Sequence, residues 1–379
     1  MNILQINKYY TPDIGGVESV VQKYSEYFAK VKEIKVTVLC INKYFNIKTR
    51  YENINNVYII RVSSFGSFFS MPLSISFFYY FIRIRKKYDI IHFHEPFPLG
   101  SLLTFLVPKK TKLILTWHSD IIKQKKLKKI IEFFQHKLCK RTNLILTTSS
   151  NLLSSSSVIS HYKYKTKVLP LSISSNVEKG TKHKDDNDNY ILYLGRISYY
   201  KGIEVLLKAY TESNTSKKLI IVGDGDKNII NSINSYKSAS TKIIEFINRF
   251  VSEDEKMNFL KQCSFFVFPS IQPSEAFGII QLEAMLMKKP VINTSLPTGV
   301  PLVSLHKETG LTVEPGNVNE LSSAIDELSF NPSICQEYGR NARNRVIKYF
   351  SDDVVLPQLN KYYESLLQLK KIAPNFIKL

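Results

Sequence analysis

The chain has 379 residues, 44% hydrophobic and 22% charged; this excludes disorder, a collagen-like repeat and a disulfide scaffold, and the length points to two domains. The net charge of +20 is unevenly spread, with 28 Lys and Arg against 10 Asp and Glu in residues 1–180 and 24 against 22 in residues 181–379. Such asymmetry points to an acidic partner of the first half: nucleic acid, an anionic membrane or a phosphate ligand.

The first half alternates strand-like and helix-like segments. Ile3–Ile6 reads as a strand, and Val17, Val20, Val21, Tyr24, Phe28 and Val31 follow helical spacing. Val36–Cys40, Val57–Val62, Ile90–Phe93, Leu113–Thr116 and Leu144–Thr147 are short apolar, β-rich runs of the kind that form buried parallel strands. Between Arg61 and Arg83 lie 21 uncharged residues, including Phe65, Phe77, Phe78, Tyr79, Tyr80 and Phe81. Six serines, Gly66 and Pro72 make that stretch a poor membrane span. It reads as a loop leading into a helix packed on a sheet, with an interfacial aromatic helix as the alternative. Asn2–Asn7 is strand-like from the outset, so no secretory signal is expected. Cys40, Cys139, Cys263 and Cys335 lie far apart without a CxxC pair, which reads as free thiols in a reducing compartment.

Residues 178–190 are almost without apolar side chains and read as a linker or long loop. A second αβ series follows from Tyr190, with strands expected at Lys218–Val222, Ile243–Phe246, Phe265–Phe268, Pro290–Asn293 and Leu311–Val313. Leu356, Leu359, Tyr363, Leu366 and Leu367 share one face of an expected helix over 352–371. The fold class is α/β, with two Rossmann-like domains, and ligands are expected at the carboxyl ends of the strands.

Four constellations carry chemistry. Gly15-Gly16, between the first strand and first helix, lets backbone N–H groups approach an anion. Arg196 and Lys201, in the segment Gly195–Gly202 after the first strand of the second domain, are a fork and a point charge suited to a diphosphate. Glu275 and Glu283 stand eight apart after the Phe265–Phe268 strand, Glu275 before the first turn of a helix and Glu283 two turns in, so that both could accept bonds from the hydroxyls of one ligand. His118, in Thr116–Asp120 with the only tryptophan, ends a first-domain strand, and His92 and His94 end another; His92 reads as structural. Asp224 and Asp226 read as a strand-end turn.

Taken together, these motifs resemble family 4 of the retaining nucleotide-sugar glycosyltransferases over nearly the whole chain. Glu275…Glu283 looks like that family's ExxxxxxxE signature, Arg196 with Lys201 like its diphosphate pair, and Gly15-Gly16 like its glycine loop. The run Asn293–Pro301, then Glu308–Leu311, with Trp117–Asp120, looks like the bacterial mannosyl- or rhamnosyltransferases of O-antigen or capsule synthesis. The resemblance implies the GT-B fold, with two domains facing a central cleft and a C-terminal helix crossing back to the first. The domains expected are 1–175 with 352–379 on the acceptor side, a linker over 176–189, and 190–351 for the donor.

It further implies that Arg196 and Lys201 neutralise the donor diphosphate, that Glu283 holds the ribose, and that Glu275 contacts the donor sugar. Backbone amides at Phe277, Gly278 and Ile279 and the amide of Gly16, beside Gly15, serve the sugar and phosphates, and His118 meets the sugar ring or attacking oxygen. One departure is Phe246–Val251, where the family usually has a glycine and this chain has Asn248; a left-handed Asn keeps that turn, and Phe250 is the donor-side residue there.

No cofactor or metal is expected. The expected reaction is front-face transfer of a sugar, first of all mannose from GDP-mannose, to a polyprenyl-diphosphate-linked saccharide in the cytoplasm, at the inner face of the cell membrane. A UDP- or dTDP-sugar donor is the alternative; an epimerase or phosphorylase on the same fold, or a basic membrane- or nucleic-acid-binding protein without catalysis, also remains open. No RNA-binding aromatic signature or base-reading helix is present, so nucleic acid is not the expected partner. Lys123, Lys125, Lys126, Lys128 and Lys129 are the expected membrane-docking residues.

Overall fold

The computed structural model describes residues 1–13, 15–68, 71–121, 128–175 and 190–368. The chain divides into two units, Met1–Pro170 with Leu356–Leu379, and Leu171–Val355. The strands of the first unit are β1 (Asn2–Ile6), β2 (Lys35–Ile41), β3 (Arg50–Ile54), β4 (Val57–Val62), β5 (Ser67–Phe68), β6 (Met71–Pro72), β7 (Ile90–Glu95), β8 (Lys112–Trp117), β9 (Leu144–Thr147) and β10 (Thr166–Val168). β5 and β6 pair with each other, and the other eight form one sheet in the order β10-β9-β8-β7-β1-β2-β4-β3. All its neighbours are parallel except β3, which runs antiparallel to β4.

The second unit contains β11 (Ile191–Leu194), β12 (Leu219–Val222), β13 (Ile244–Ile247), β14 (Phe265–Val267), β15 (Val291–Thr294) and β16 (Gly310–Val313). They form a parallel sheet in the order β13-β12-β11-β14-β15-β16. Continuous apolar runs such as Ile-Leu-Tyr-Leu and Leu-Ile-Ile-Val become the central strands, where nearly every side chain is buried. Each fully buried Leu, Ile or Phe contributes about 1.5–3 kcal/mol of transfer free energy.

In both units the strand order reverses beside the first strand. β1 has β2 on one side and β7 on the other, and β11 has β12 on one side and β14 on the other. The chain therefore leaves β1 and β7, and likewise β11 and β14, in opposite directions. That opens a crevice at their carboxyl ends, the place where doubly wound sheets bind ligands.

The stretch before Arg83 behaves as the loop and helix expected. Ser76–Ile84 is a helix that buries Phe77 and Phe81, and among the described residues no helix is long and apolar enough to cross a membrane. Two apolar positions depart from expectation. Val31 lies beyond the end of the Gly16–Ala29 helix and is exposed, and Leu367 is exposed although Leu356, Leu359 and Tyr363 are buried. Ile173 pairs with Ser351, and the Ser172 hydroxyl donates to Asp352 at 2.7 Å. These bonds group residues 171–175 with the second unit. The expected linker over 176–189 lies outside the described residues.

Candidate functional site

In the second unit the segment after β11 turns once as Tyr199–Lys201 and enters the helix Ile203–Glu212 at Gly202. Gly202 has φ +69°, and a Cβ there would stand 2.0 Å from the Pro269 carbonyl oxygen. Only glycine lets the β11 loop lie this close to the chain leaving β14. That approach brings Lys201 Nζ to 2.5 Å from the Glu275 carboxylate, although 74 residues separate them. The ammonium also sits 5.0 Å from the Phe268 ring centroid, and the Ser270 hydroxyl donates to Glu275 at 3.3 Å. The pair is mostly buried, with side-chain exposures of 13% and 12%, so the attraction is only weakly screened by water. Arg196 is exposed and makes no ion pair among the described residues. Its backbone is held by the Tyr193 hydroxyl, which donates to its carbonyl at 3.0 Å.

The helix that follows Glu275 begins at Ile279 and ends at Leu286. Glu275 therefore precedes it, and Glu283 is little more than one turn in rather than two. Each acid has its own lysine. Glu283 accepts from Lys256 at 2.8 Å, and Lys256 also meets Glu253 at 2.6 Å. Burial depresses the Lys256 ammonium, but the two acids outweigh it and hold the pKa above its ordinary value. Lys256, on the helix Glu253–Gln262, was absent from the sequence reading because nothing local connects it with Glu283.

Gly278 starts the Ile279–Leu286 helix with φ +81°, and a Cβ there would stand 2.6 Å from the Phe268 ring. The first amides of a helix have no intrahelical acceptor, so those of Gly278, Ile279 and Ile280 are available to oxygen ligands. A buried amide pair holds this turn from behind. Gln281 Nε2 donates to the Phe277 carbonyl at 3.0 Å, and Asn293 Nδ2 donates to Gln281 Oε1 at 3.0 Å. Asn293 also donates to Val300 and Ser304 carbonyls. Phe277 itself is buried.

The turn after β13 differs from expectation. Asn248 is not among the residues with positive φ. The turn instead closes by the Arg249 amide donating to the Ile247 carbonyl at 3.0 Å and by an Arg249–Glu255 ion pair at 2.6 Å. Phe250 is 75% exposed, an apolar ring in water where a flat ligand surface could cover it. Asp226 caps the Lys227–Ala239 helix, its carboxylate accepting from the Asn228 amide at 2.9 Å, in keeping with a strand-end turn.

In the first unit, Gly15 caps the Gly16–Ala29 helix in extended conformation. A Cβ on Gly16 would meet nothing within 4 Å, so packing does not require glycine there, and the space above it is open to a ligand. The loop leading to it is held by Arg61, which the sequence reading did not single out. Arg61 is buried on β4, donating to the Tyr10 and Thr11 carbonyls at 3.1 and 2.7 Å. Its other donors reach Glu52 at 3.1 Å, and Asp13 stands 3.5 Å away. Its flanking sequence is an ordinary strand, which gave no signal.

His118, just after β8, is buried, and its Nε2 lies 3.1 Å from His94 Nδ1. Burial pulls the His118 pKa down to about 3 and pushes His92 and His94 well below their ordinary value. All three are therefore neutral in the folded protein, while an unfolded histidine protonates near pH 6.5. Their folded pKa values are depressed, so stability is lost as the pH falls from about 6.5, by up to about 1.4 kcal/mol per pH unit for each proton taken up on unfolding. Thermal melts of the protein and of His92→Gln between about pH 6.5 and 5 check this. The wild type is expected to fall more steeply, and equal slopes count against it.

Residues 14–167 match the family described as Glycosyltransferase Family 4, and residues 175–345 match Glycosyl transferases group 1. The O-antigen chain mannosyltransferase C of Escherichia coli is 28% identical over 98% of this chain and 100% of its own length. The D-rhamnosyltransferase WbpZ of Pseudomonas aeruginosa is 30% identical over 74% of this chain and 75% of its own. Among solved structures, sucrose-phosphate synthase from Thermosynechococcus elongatus superposes with a TM-score of 0.79 at 19% identity, covering 97% of this chain and 100% of that one. Anabaena HepE in complex with UDP and glucose gives 0.74 at 17%, covering 96% and 100%. The fold is GT-B, two Rossmann-like domains built on parallel sheets.

Proposed function

We propose, because the chain belongs to glycosyltransferase family 4, that it moves a mannosyl residue from GDP-mannose to a polyprenyl-diphosphate-linked saccharide in bacterial O-antigen synthesis. That it is a glycosyltransferase follows from the family; the donor and acceptor are the proposal, and of these the mannosyl residue and the O-antigen chain are supported by the name of the Escherichia coli relative. The observation that carries the site is the Lys201–Glu275 pair at the β11–β14 crevice. A lysine ammonium has three donors. Lys201 can hold Glu275 with one and a diphosphate oxygen with another, while the second carboxylate oxygen of Glu275 accepts from a sugar hydroxyl. Arg196 adds a bidentate fork to the phosphates, and the amides of Gly278 and Ile279 add donors fixed before the reaction. Glu283, held by Lys256, serves the ribose, and Phe250 covers the base.

These groups place cationic and dipolar charge where the leaving diphosphate gains negative charge, and transfer is proposed to need no divalent ion. Incubation with a panel of nucleotide sugars, measuring free GDP, UDP and dTDP, tests the donor. Release from GDP-mannose alone supports the proposal, and preference for a UDP- or dTDP-sugar overturns that part of it. Activity unchanged by EDTA is the expected result for the metal.

The protein is further proposed to act peripherally on the inner face of the cell membrane. Lys129, Ile130 and Phe133 are exposed on the helix Lys128–Arg141, and Phe105 is exposed nearby in sequence to the same unit's core residue Leu103. Lys123, Lys125 and Lys126 lie outside the described residues. Each cation near an anionic bilayer contributes about 1 kcal/mol. Reversing the charge of Lys125, Lys126, Lys128 and Lys129 is expected to weaken binding to anionic vesicles and leave nucleotide binding unchanged. Undiminished vesicle binding would count against docking there.

A further inference from the structure

A continuous chain of hydrogen bonds runs through buried side chains beneath the carboxyl ends of β1, β7 and β8. Gln5 Nε2 donates to the Tyr363 hydroxyl at 3.3 Å, and Gln5 Oε1 faces His94 Nε2 at 2.9 Å. His94 Nδ1 in turn faces His118 Nε2 at 3.1 Å. On the other branch, His92 Nδ1 meets the Tyr363 hydroxyl at 2.5 Å and His92 Nε2 meets Thr116 Oγ1 at 2.7 Å. The rings are stacked, with centroids 4.3 Å apart for His92–His94 and 5.4 Å for His94–His118. All six side chains are buried.

A neutral imidazole has one N–H and one lone pair, so a direction set at one end propagates along such a chain. Gln5 Oε1 can only accept, so His94 carries its proton on Nε2 and offers the lone pair of Nδ1. His118 must then donate from Nε2, which leaves its Nδ1 unprotonated. On the second branch, Tyr363 accepts from Gln5 and donates to His92 Nδ1, and His92 Nε2–H donates to Thr116. Every contact then has one donor and one acceptor. Nδ1 of His118 has no partner among the described residues.

We propose that Gln5, through His94, is a positioning residue that fixes His118 as the Nε2–H tautomer, so that His118 Nδ1 accepts a hydrogen bond from a sugar hydroxyl and disfavours a phosphate oxygen. A hydroxyl brings a proton to that lone pair, whereas an ionised phosphate oxygen brings only a second lone pair. Burial of His118 opposes its conversion to imidazolium, so the ring does not adapt to phosphate by taking up a proton. The sugar contact rests on the glycosyltransferase reading of His118; the tautomer does not.

Turning the Gln5 amide over reverses every donor in the chain together and makes His118 Nδ1 a donor suited to phosphate. Long-range proton–nitrogen NMR on protein with isotope-labelled histidine separates the two, with His118 assigned through His118→Asn. A protonated Nε2 and a bare Nδ1 are expected, and the opposite pattern overturns the proposal. In a second arm, Gln5→Leu removes the acceptor and is expected to lower kcat/KM about tenfold or more, while Gln5→Glu, which keeps an acceptor oxygen of the same reach, restores it. A His118 tautomer and kcat/KM both unchanged in Gln5→Leu overturn the positioning role. If Gln5→Leu does not fold, the NMR arm on the unmodified protein decides alone. The expected tautomer in a protein that transfers no sugar from any donor overturns the functional reading and with it the sugar contact, leaving the tautomer established.

Discussion

Replacing Lys201 by alanine is expected to lower kcat for sugar transfer by about a hundred- to a thousand-fold, the usual effect of removing one preorganised charge-stabilising donor. The same change also destabilises the protein, for a separate reason. Lys201 and Glu275 are both mostly buried and 2.5 Å apart, and a carboxylate stripped of its partner in such a place costs about 3–5 kcal/mol. A single variant therefore confounds chemistry with folding. The double variant Lys201→Ala with Glu275→Gln separates them, because it removes the unpaired charge along with the cation. Its melting temperature is expected to recover toward wild type while kcat stays low. A double variant that regains activity with its stability would show that the pair serves the fold alone, and wild-type transfer rates in Lys201→Ala and Glu275→Gln would remove both from the site.

The second large effect is expected at Arg61. Arg61→Met strips Glu52 of its bidentate partner, takes the side-chain donor from the Thr11 carbonyl and leaves the Tyr10 carbonyl with the Asp13 amide alone. Losing one partner of a largely buried ion pair costs about 3–5 kcal/mol. Melting temperature reads that loss. The carbonyls belong to the loop that delivers the chain to Gly15 and Gly16, so kcat/KM is expected to fall too, measured where the variant is still folded. Arg61→Lys should not restore either quantity, because an ammonium cannot reproduce the fork to Glu52 while reaching two carbonyls. Full rescue by lysine would mean that charge alone, and not the directed donors, holds the loop.

Short strands were legible where the local pattern was unambiguous. Val57–Val62 and Leu144–Thr147 form with the expected bounds, and Phe265–Phe268 forms one residue shorter, because runs of β-branched and aromatic residues have no other way to bury themselves. β3, Arg50–Ile54, was not legible. It is a polar edge strand, and what makes it a strand is its pairing with β4 rather than its own composition. Glu275 precedes the Ile279–Leu286 helix as expected, but the depth of Glu283 within it was not legible. The left-handed Gly278 starts the helix at Ile279, which leaves Glu283 little more than one turn in.

The same division separates the site. Residue type and spacing marked Gly15, Gly16, Arg196, Lys201, Glu275 and Glu283 as candidates, because anion recognition needs glycine, cations or helix amides just past a strand and hydroxyl recognition needs carboxylates, and the family resemblance gave them, with His118, their roles. Tertiary structure decided which of them meet. Lys201 finds Glu275 because β11 and β14 are neighbours in the sheet, Glu283 finds Lys256 from a different helix, and Gln5 reaches His118 through His94 because β1, β7 and β8 lie side by side. The +20 charge and its concentration in the first half are complete in the sequence, since charge is a sum over residues. Which charges are paired and buried is not, since that depends on distances between residues tens of positions apart, and distances exist only once the chain is folded.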